Sequence, residues 1–340
     1  MLMKKILVTG AAGFIGYSLV KQLIAMGDYS IVGLDNINDY YDVNLKYGRL
    51  QQLGIDRLAV ADGELISSTD SSNFRFIKLD LQARNELNEL MDAEQFDIVC
   101  NLAAQAGVRY SIDHPFAYVE SNLVGYMNLL EAARQCHVKH FVYASSSSVY
   151  GLSNSVPYSE SQQVDNPISL YAATKKSNEL MAHSYSKLYK LPTTGIRFFT
   201  VYGPWGRPDM APFLFMDAIV KDKTIKVFNH GNLERDFTYI DDIIHGLLSV
   251  INTQPSTNEI PYELYNLGNS SPVKLMDFIG TMEQVTGCIA SKEYCDMQPG
   301  DVYQTYADMT KFEARFGYKP AVNIQQGLSE MYKWYQSFYR

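Results

Sequence analysis

The chain has 340 residues, 46% of them hydrophobic and 19% charged, enough for one large domain or two joined ones. Its net charge of −8 argues against a nucleic-acid partner. No apolar run reaches the ~18–20 residues that span a bilayer. Cys100, Cys136, Cys288 and Cys295 form no CxxC pair and fit a cytosolic protein better than a zinc site or disulfide framework, so the cytoplasm is the expected compartment.

MLMKKILVTG reads as a first strand rather than a leader peptide. GFIGYSLVKQLIAMG then predicts a helix closed by Gly27. YSIVGLD and FRFIKLDL predict two more strands. The stretch between them, at about 54–73, reads as an insertion with a polar, mobile end. RNELNELMDAEQF predicts a helix, DIVCNLAA a fourth strand, and HPFAYVESNLVGYMNLLEAARQCHV one long helix. KHFVYASSS is a fifth strand, LYAATKKSNELMAHSYSKLYK a helix, and TTGIRFFTVYG a sixth strand. Near-continuous apolar strands separated by helices predict a parallel sheet covered on both faces, the doubly wound α/β class.

Past residue 203 the alternation weakens. A proline-rich loop, PWGRPDMAP, leads to a helix at PFLFMDAIVKDK. TIKVFNHGN reads as a hairpin arm, RDFTYIDDIIHGLLSVIN as a strand feeding a helix, and SPVKLMDFIGTMEQVTG as a further helix. The expected division is therefore 1–203 for the main sheet and 204–340 for a smaller substrate-binding cap, with part of 236–250 returning to the sheet. No internal repeat is present.

TGAAGFIG places Gly10, Gly13 and Gly16, with Phe14 and Ile15, between the first strand and the first helix. A tight turn and the close approach of backbone to a pyrophosphate both need residues without Cβ. The spacing is GxxGxxG, and its position after a strand and before a helix makes it a Rossmann dinucleotide site. Asp35, ending the second strand, can accept both hydroxyls of an adenosine ribose and repel a 2′-phosphate, and DNINDYYDVN carries no arginine. NAD is thus expected rather than NADP. Asn36 follows Asp35. Asp80 and Leu81 sit at the adenine end, although for Asp80 a strand-end cap is an equal alternative. Leu102, Ala103 and Ala104 close the fourth strand beside the same site.

Tyr171 and Lys175, four apart in YAATK, share one helix face. An ammonium near a phenol favours the phenolate, which suits a general base. With 25 tyrosines, chance alone supplies about one such pair. Tyr17 and Lys21, beside the pyrophosphate turn, are the accidental one. Tyr171 and Lys175 begin the helix after the fifth strand, on the edge where ligands bind, and Ser145–Ser148 end that strand at the same edge. The serines are therefore site hydroxyls rather than linker. The six histidines share no spacing, and Asp241 and Asp242 suit a helix start better than a metal.

TGAAGFIG, the strand-end serines with VYG, and YxxxK in this order resemble an extended short-chain dehydrogenase/reductase. LDNINDYYDVNLK, NLAAQAGVRYSI, SNLVG, RFFTVYGPWGRPDMA and MQPGDVYQTYAD narrow the likeness to nucleotide-sugar 4-epimerases, most closely UDP-glucuronate 4-epimerases. The likeness spans nearly the whole chain and is weakest at 54–73.

The resemblance implies an isomerase that holds NAD and interconverts UDP-glucuronate and UDP-galacturonate through a 4-keto sugar. Tyr171 would be its base, Lys175 the residue holding the nicotinamide ribose, and Ser146 the catalytic hydroxyl, with Ser147 and Ser148 as alternatives. Dehydratases of this superfamily carry a Thr-Asp-Glu-like triplet at the serine position and decarboxylating relatives a glutamate. Three serines here supply no such acid or base.

A 4-keto uronate is a β-keto acid, so its carboxylate must be held out of line with the carbonyl. Thr200 and Arg207 are the candidates for that task, and for Arg207 a diphosphate contact or a surface ion pair is an equal alternative. By resemblance Arg235 binds the diphosphate and Asp301 the uridine ribose. Gln298 and Pro299 stand where hexose epimerases often carry another arginine. Asn122 is a contact near the substrate or a helix-packing residue, and Arg109 lines the site or caps a helix. A UDP-sugar partner and a homodimer joined through about 114–137 and 170–190 are implied, with no membrane or metal. The remaining alternatives are a UDP-glucose/galactose 4-epimerase, a UDP-glucuronate decarboxylase, and a non-catalytic NAD-binding regulator.

Overall fold

The computed structural model describes residues 3–153, 155–298 and 300–339. Strands in chain order are β1 (Lys4–Thr9), β2 (Tyr29–Asp35), β3 (Leu65–Ser67), β4 (Phe74–Lys78), β5 (Ile98–Asn101), β6 (His140–Ser146), β7 (Thr193–Phe198), β8 (Thr200–Tyr202), β9 (Ile225–Val227), β10 (Glu234–Tyr239), β11 (Tyr262–Leu267), β12 (Pro272–Lys274) and β13 (Lys292–Tyr294). An eight-stranded sheet runs β11-β7-β6-β5-β1-β2-β4-β3. Its pairings are parallel except for β3 against β4. Alternate side chains feed separate cores on the two faces: Ile6 and Val8 join one cluster and Leu7 the other.

The order of the strands reverses between β1 and β5, which is where a doubly wound sheet opens a crevice. In register, Thr9 faces both Leu34 and Asn101, and Ser146 faces Phe198. The carboxyl ends of β1, β2, β5, β6 and β7 therefore meet at one edge. The Thr9 hydroxyl fixes that edge by donating to Asn101 Oδ1 at 2.6 Å.

Several elements depart from the sequence expectation. The sixth strand is broken at Phe199: β7 stays in the main sheet, while β8 pairs with β10 in a three-stranded sheet, β12-β10-β8. The expected hairpin arm is β9 alone, paired in parallel with β13. β3 lies in the stretch read as an insertion, and β11 forms the far edge of the main sheet. The long helix from His114 is interrupted. After Pro115–Tyr118 the chain makes a wide π turn over Val119–Gly125 before resuming as Tyr126–Gln135. That widening lets Asn122 reach sideways to the backbone of Gln105, accepting from its N–H at 2.8 Å and donating to its carbonyl at 2.9 Å.

His140, at the start of β6, is buried and bonded to Thr194 Oγ1 at 2.8 Å. Burial, aided by the Lys4 charge, lowers its pKa from 6.5 to about 4. Between those values the unfolded chain binds a proton that the folded one refuses, so stability falls as pH drops from about 6.5 toward 4. The loss amounts to roughly 3 kcal/mol at the acid end. Thermal melts from pH 7 to pH 4.5 should show a shallower acid slope for His140→Gln than for the parent.

Candidate active site

The crevice at the strand edge is a cleft of about 400 Å³. At one end the glycine turn folds tightly upon itself. Gly10 has φ +71°, and a Cβ there would lie 2.8 Å from Ala103 N; one on Gly16 would strike Gly10 O. A bare backbone cradle at a helix start fits a dinucleotide pyrophosphate. Gly10, Gly13, Phe14, Ile15, Gly16, Asp35, Asn36, Asp80, Leu81, Leu102, Ala103 and Ala104 all line the cleft. The Asp35 carboxylate accepts from Ala12 N at 3.1 Å and Ile37 N at 2.8 Å, which fixes its orientation. Asp80 accepts from both Asn36 Nδ2 at 2.8 Å and Gln82 N at 2.9 Å, so it is a cap and a wall of the cleft at once.

Lys46 was not singled out in the sequence, yet it is buried in the same subsite. Its Nζ lies 3.9 Å from Asp35 and donates to Asn38 Oδ1 at 2.8 Å. It comes from the helix Val43–Gln51, which Asp42 starts by accepting from Asn44 N. Such a cap followed by LK was the available signal.

At the other end, Ser169 caps the helix Leu170–Tyr189 by accepting from Ala172 N at 3.1 Å. This cap presents Tyr171 to the cleft in the first turn, with Lys175 one turn behind it. Lys175 is buried and donates to Ala144 O at 2.9 Å, and burial pushes its pKa down to about 8. Its Nζ is 6.0 Å from the centre of the Tyr171 ring. Burial raises the Tyr171 phenol above 10, opposed by the Arg207 charge and by a hydrogen bond with Ser146. Lys175, expected to favour the phenolate, gives its ammonium to the β6 carbonyl, and the Arg207 charge also acts on the phenol.

The serine run is sorted by its partners. The Ser145 hydroxyl donates to Glu179 Oε1 at 2.6 Å, and Glu179 is gripped by Arg197 at 2.8 and 2.9 Å in a buried pair. Ser145 is thus a structural bolt. Ser146 accepts from Ser148 N at 3.1 Å and meets the Tyr171 phenol. Ser147 and Ser148 also line the cleft, and the shielded Ser148 hydroxyl has no partner among the described residues.

Thr200, Arg207 and Asp301 complete the walls. Arg207 Nε donates to Asp209 Oδ1 at 3.0 Å, and its Nη2 donates to the other carboxylate oxygen. This leaves Nη1 and one Nη2 hydrogen for a ligand. Tyr40 donates to the same Asp209 carboxylate at 2.9 Å. Asp301 is bridged by Arg235 Nη2 at 2.7 Å and by Arg109 Nη2 at 3.6 Å.

Asn122, Arg235 and Arg109, all singled out in the sequence, do not line the cleft. Asn122 is buried behind it, bonded to Gln105 and Thr174, and so is a packing asparagine. Arg235 stands behind Asp301 rather than beside the cavity, with Nη1 spent on the carbonyls of Glu234 and Tyr303. Gln298 Oε1 is shielded without a partner among the described residues, and Pro299 lies outside them. Among the described residues no cluster of His, Cys, Asp and Glu is placed to hold a metal, and no helix is long and apolar enough to cross a membrane.

Comparison with known proteins agrees with this geometry. Residues 6–268 match the NAD dependent epimerase/dehydratase family. The chain is 49% identical to Protein CapI of Staphylococcus aureus, over 99% of each protein. It is 42% identical to a probable UDP-glucuronate 4-epimerase of Rhizobium meliloti, over 98% of this chain and 97% of the other. Among solved structures it resembles the UDP-glucuronic acid 4-epimerase of Bacillus cereus in complex with UDP-glucuronic acid and NAD. There the identity is 35%, the TM-score 0.88, and the cover 98% of this chain and 100% of that one. A glycine cradle, an acid at the end of β2 and a tyrosine–lysine pair in one cleft, together with this match over most of its length, place the chain in the NAD dependent epimerase/dehydratase family.

Proposed function

We propose that the protein is an NAD-dependent isomerase that interconverts UDP-glucuronate and UDP-galacturonate by epimerisation at C4. One observation carries the reading: Tyr171, Ser146 and Arg207 converge in the cleft that begins at the glycine cradle. Likeness to proteins named as UDP-glucuronate 4-epimerases, and to a structure holding UDP-glucuronic acid and NAD, supports it.

Bound NAD supplies a reversible hydride acceptor. Tyr171 takes the proton of the sugar 4-hydroxyl, and Ser146, facing the phenol, relays and orients it. Lys175 anchors the second turn of the helix to β6 through Ala144 and stands ready for the cofactor's ribose. Thr200, Ser147, Ser148 and Arg207 hold the sugar carboxylate, with the free edge of the guanidinium matching its two oxygens. Asp301 takes the uridine ribose, and Arg235 acts by holding Asp301. In the proposed division of labour, 1–203 with 240–252 and 262–267 holds the dinucleotide, while most of the remainder holds the nucleotide sugar.

Incubation with UDP-glucuronate should yield UDP-galacturonate at equilibrium, separated by anion exchange. UDP-xylose with CO₂, or turnover of UDP-glucose alone, would overturn the assignment.

Free thiols at Cys100, Cys136, Cys288 and Cys295 suit a reducing cytoplasm. We also infer a homodimer through the paired helices at 115–135 and 170–189. Phe116 is 77% exposed and Leu180 57%, both on that surface together with Val124. Phe116→Asp combined with Leu180→Asp should convert the dimer to a monomer in sedimentation velocity.

A further inference from the structure

The segment after β2, DNINDYYDVNLKYGR, is more than a wall of the adenosine subsite. Two of its side chains leave that subsite and grip the loop that carries Arg207. Tyr40 donates to Asp209, the carboxylate that orients Arg207. Gly107, with φ +107°, makes room for that phenol, since a Cβ there would lie 2.8 Å from Tyr40 Oη.

Arg49 is fully buried. Its Nη1 donates to Ala12 O, inside the glycine turn, at 2.8 Å. Its Nε and Nη2 donate to Trp205 O at 3.2 and 2.6 Å, and Nη2 also reaches Gly206 O. Trp205 needs such a clamp. Its φ is +63°, a region bulky residues avoid, and it directly precedes Gly206 and Arg207.

We propose that Tyr40 and Arg49 form a strut that makes the placement of Arg207 depend on occupancy of the dinucleotide site. They are positioning residues: Arg49 is fully buried outside the cleft, and Tyr40, although it lines the cleft, gives its hydroxyl to Asp209. An empty turn leaves the Ala12 end of the strut free to move, and the Trp205–Asp209 loop moves with it. A turn stiffened by a bound pyrophosphate fixes Arg49, and through it the backbone that aims the guanidinium. The carboxylate clamp is then assembled only where hydride chemistry is possible. The consequence for chemistry rests on the function proposed above; the mechanical coupling does not. Where the clamp is loose, the 4-keto uronate loses CO₂. The C5–C6 bond breaks, its electron pair passes into the enolate at O4, and C5 afterwards takes a proton. No oxidant is needed beyond the one already used at C4.

The test uses the full-length protein and two conservative variants, Tyr40→Phe and Arg49→Lys. Hydrogen exchange is followed by mass spectrometry with and without NAD, in the absence of any sugar nucleotide. In the parent, NAD should slow exchange at 204–210 by about fivefold or more, as well as at 10–16. In the variants NAD should still protect 10–16, while 204–210 exchanges within about twofold of its NAD-free rate. Loss of that protection in either variant supports the strut through the corresponding prong, so Tyr40→Phe decides the matter if Arg49→Lys fails to fold. Absence of protection at 204–210 in the parent, or its survival in both variants, overturns the proposal.

In a second arm, release of label from carboxyl-labelled UDP-glucuronate should rise about fivefold or more per turnover in a variant that has lost protection. An unchanged ratio overturns the chemical consequence. A parent that does not act on UDP-glucuronate overturns the function reading alone, because the exchange arm uses no sugar.

Discussion

Tyr171→Phe is expected to lower kcat for the interconversion by about 10³-fold, with NAD affinity held within about threefold. The substitution removes one oxygen and leaves the ring, whose edge packs on Tyr118 with centroids 6.0 Å apart. It deletes the phenol oxygen that faces Ser146, on the helix face of Lys175. Lys175 keeps its bond to Ala144 and the glycine cradle is untouched, so binding of the dinucleotide should survive. The check is a single-turnover measurement of C4 epimerisation beside a titration with NAD. Retention of full activity would remove the proposed base and favour a binding protein without catalysis.

Arg207→Lys is expected to weaken binding of UDP-glucuronate by about 10- to 100-fold, the worth of a bidentate charge-assisted pair, while UDP-glucose binding changes by less than about threefold. A lysine keeps a positive charge for Asp209 but offers no planar fork to a second carboxylate. CO₂ should also become a visible product, because a carboxylate held by one contact can rotate into line with the carbonyl. Calorimetry with the two nucleotide sugars separates this role from its rival. If Arg207 served the diphosphate, both ligands would lose affinity together.

Much of the site could be read in the sequence because its parts are local. A turn without side chains, an acid ending a strand and a tyrosine four residues before a lysine each declare themselves within a few positions. Their convergence follows from the parallel sheet, which brings the ends of β1, β2, β5, β6 and β7 to one edge. What stayed hidden depends on partners far along the chain. Ser145 and Ser146 have the same chemistry, and only Glu179 and Arg197 separate the bolt from the relay. Tyr40 meets Asp209 across 169 residues, and Arg49 meets Trp205 across 156. No spacing rule reaches that far. Helical spacing places the Lys175 ammonium on the same face as the phenol but does not say what it bonds, which is the Ala144 carbonyl. The strand β11 escaped notice because YELYNL is half polar; as an edge strand it needs only one well-buried flank.

The break at Phe199 has a consequence for protein engineering. β7 and β8 are one run of chain serving two sheets, and the polypeptide changes sides again where β10 passes into the helix Ile240–Asn252 and between β11 and β12. A foreign sugar-recognising half therefore cannot be grafted at a single splice point. A hybrid has to be stitched at each of these crossings, so new specificities in this scaffold are reached more readily by point changes along the cleft than by exchange of whole modules.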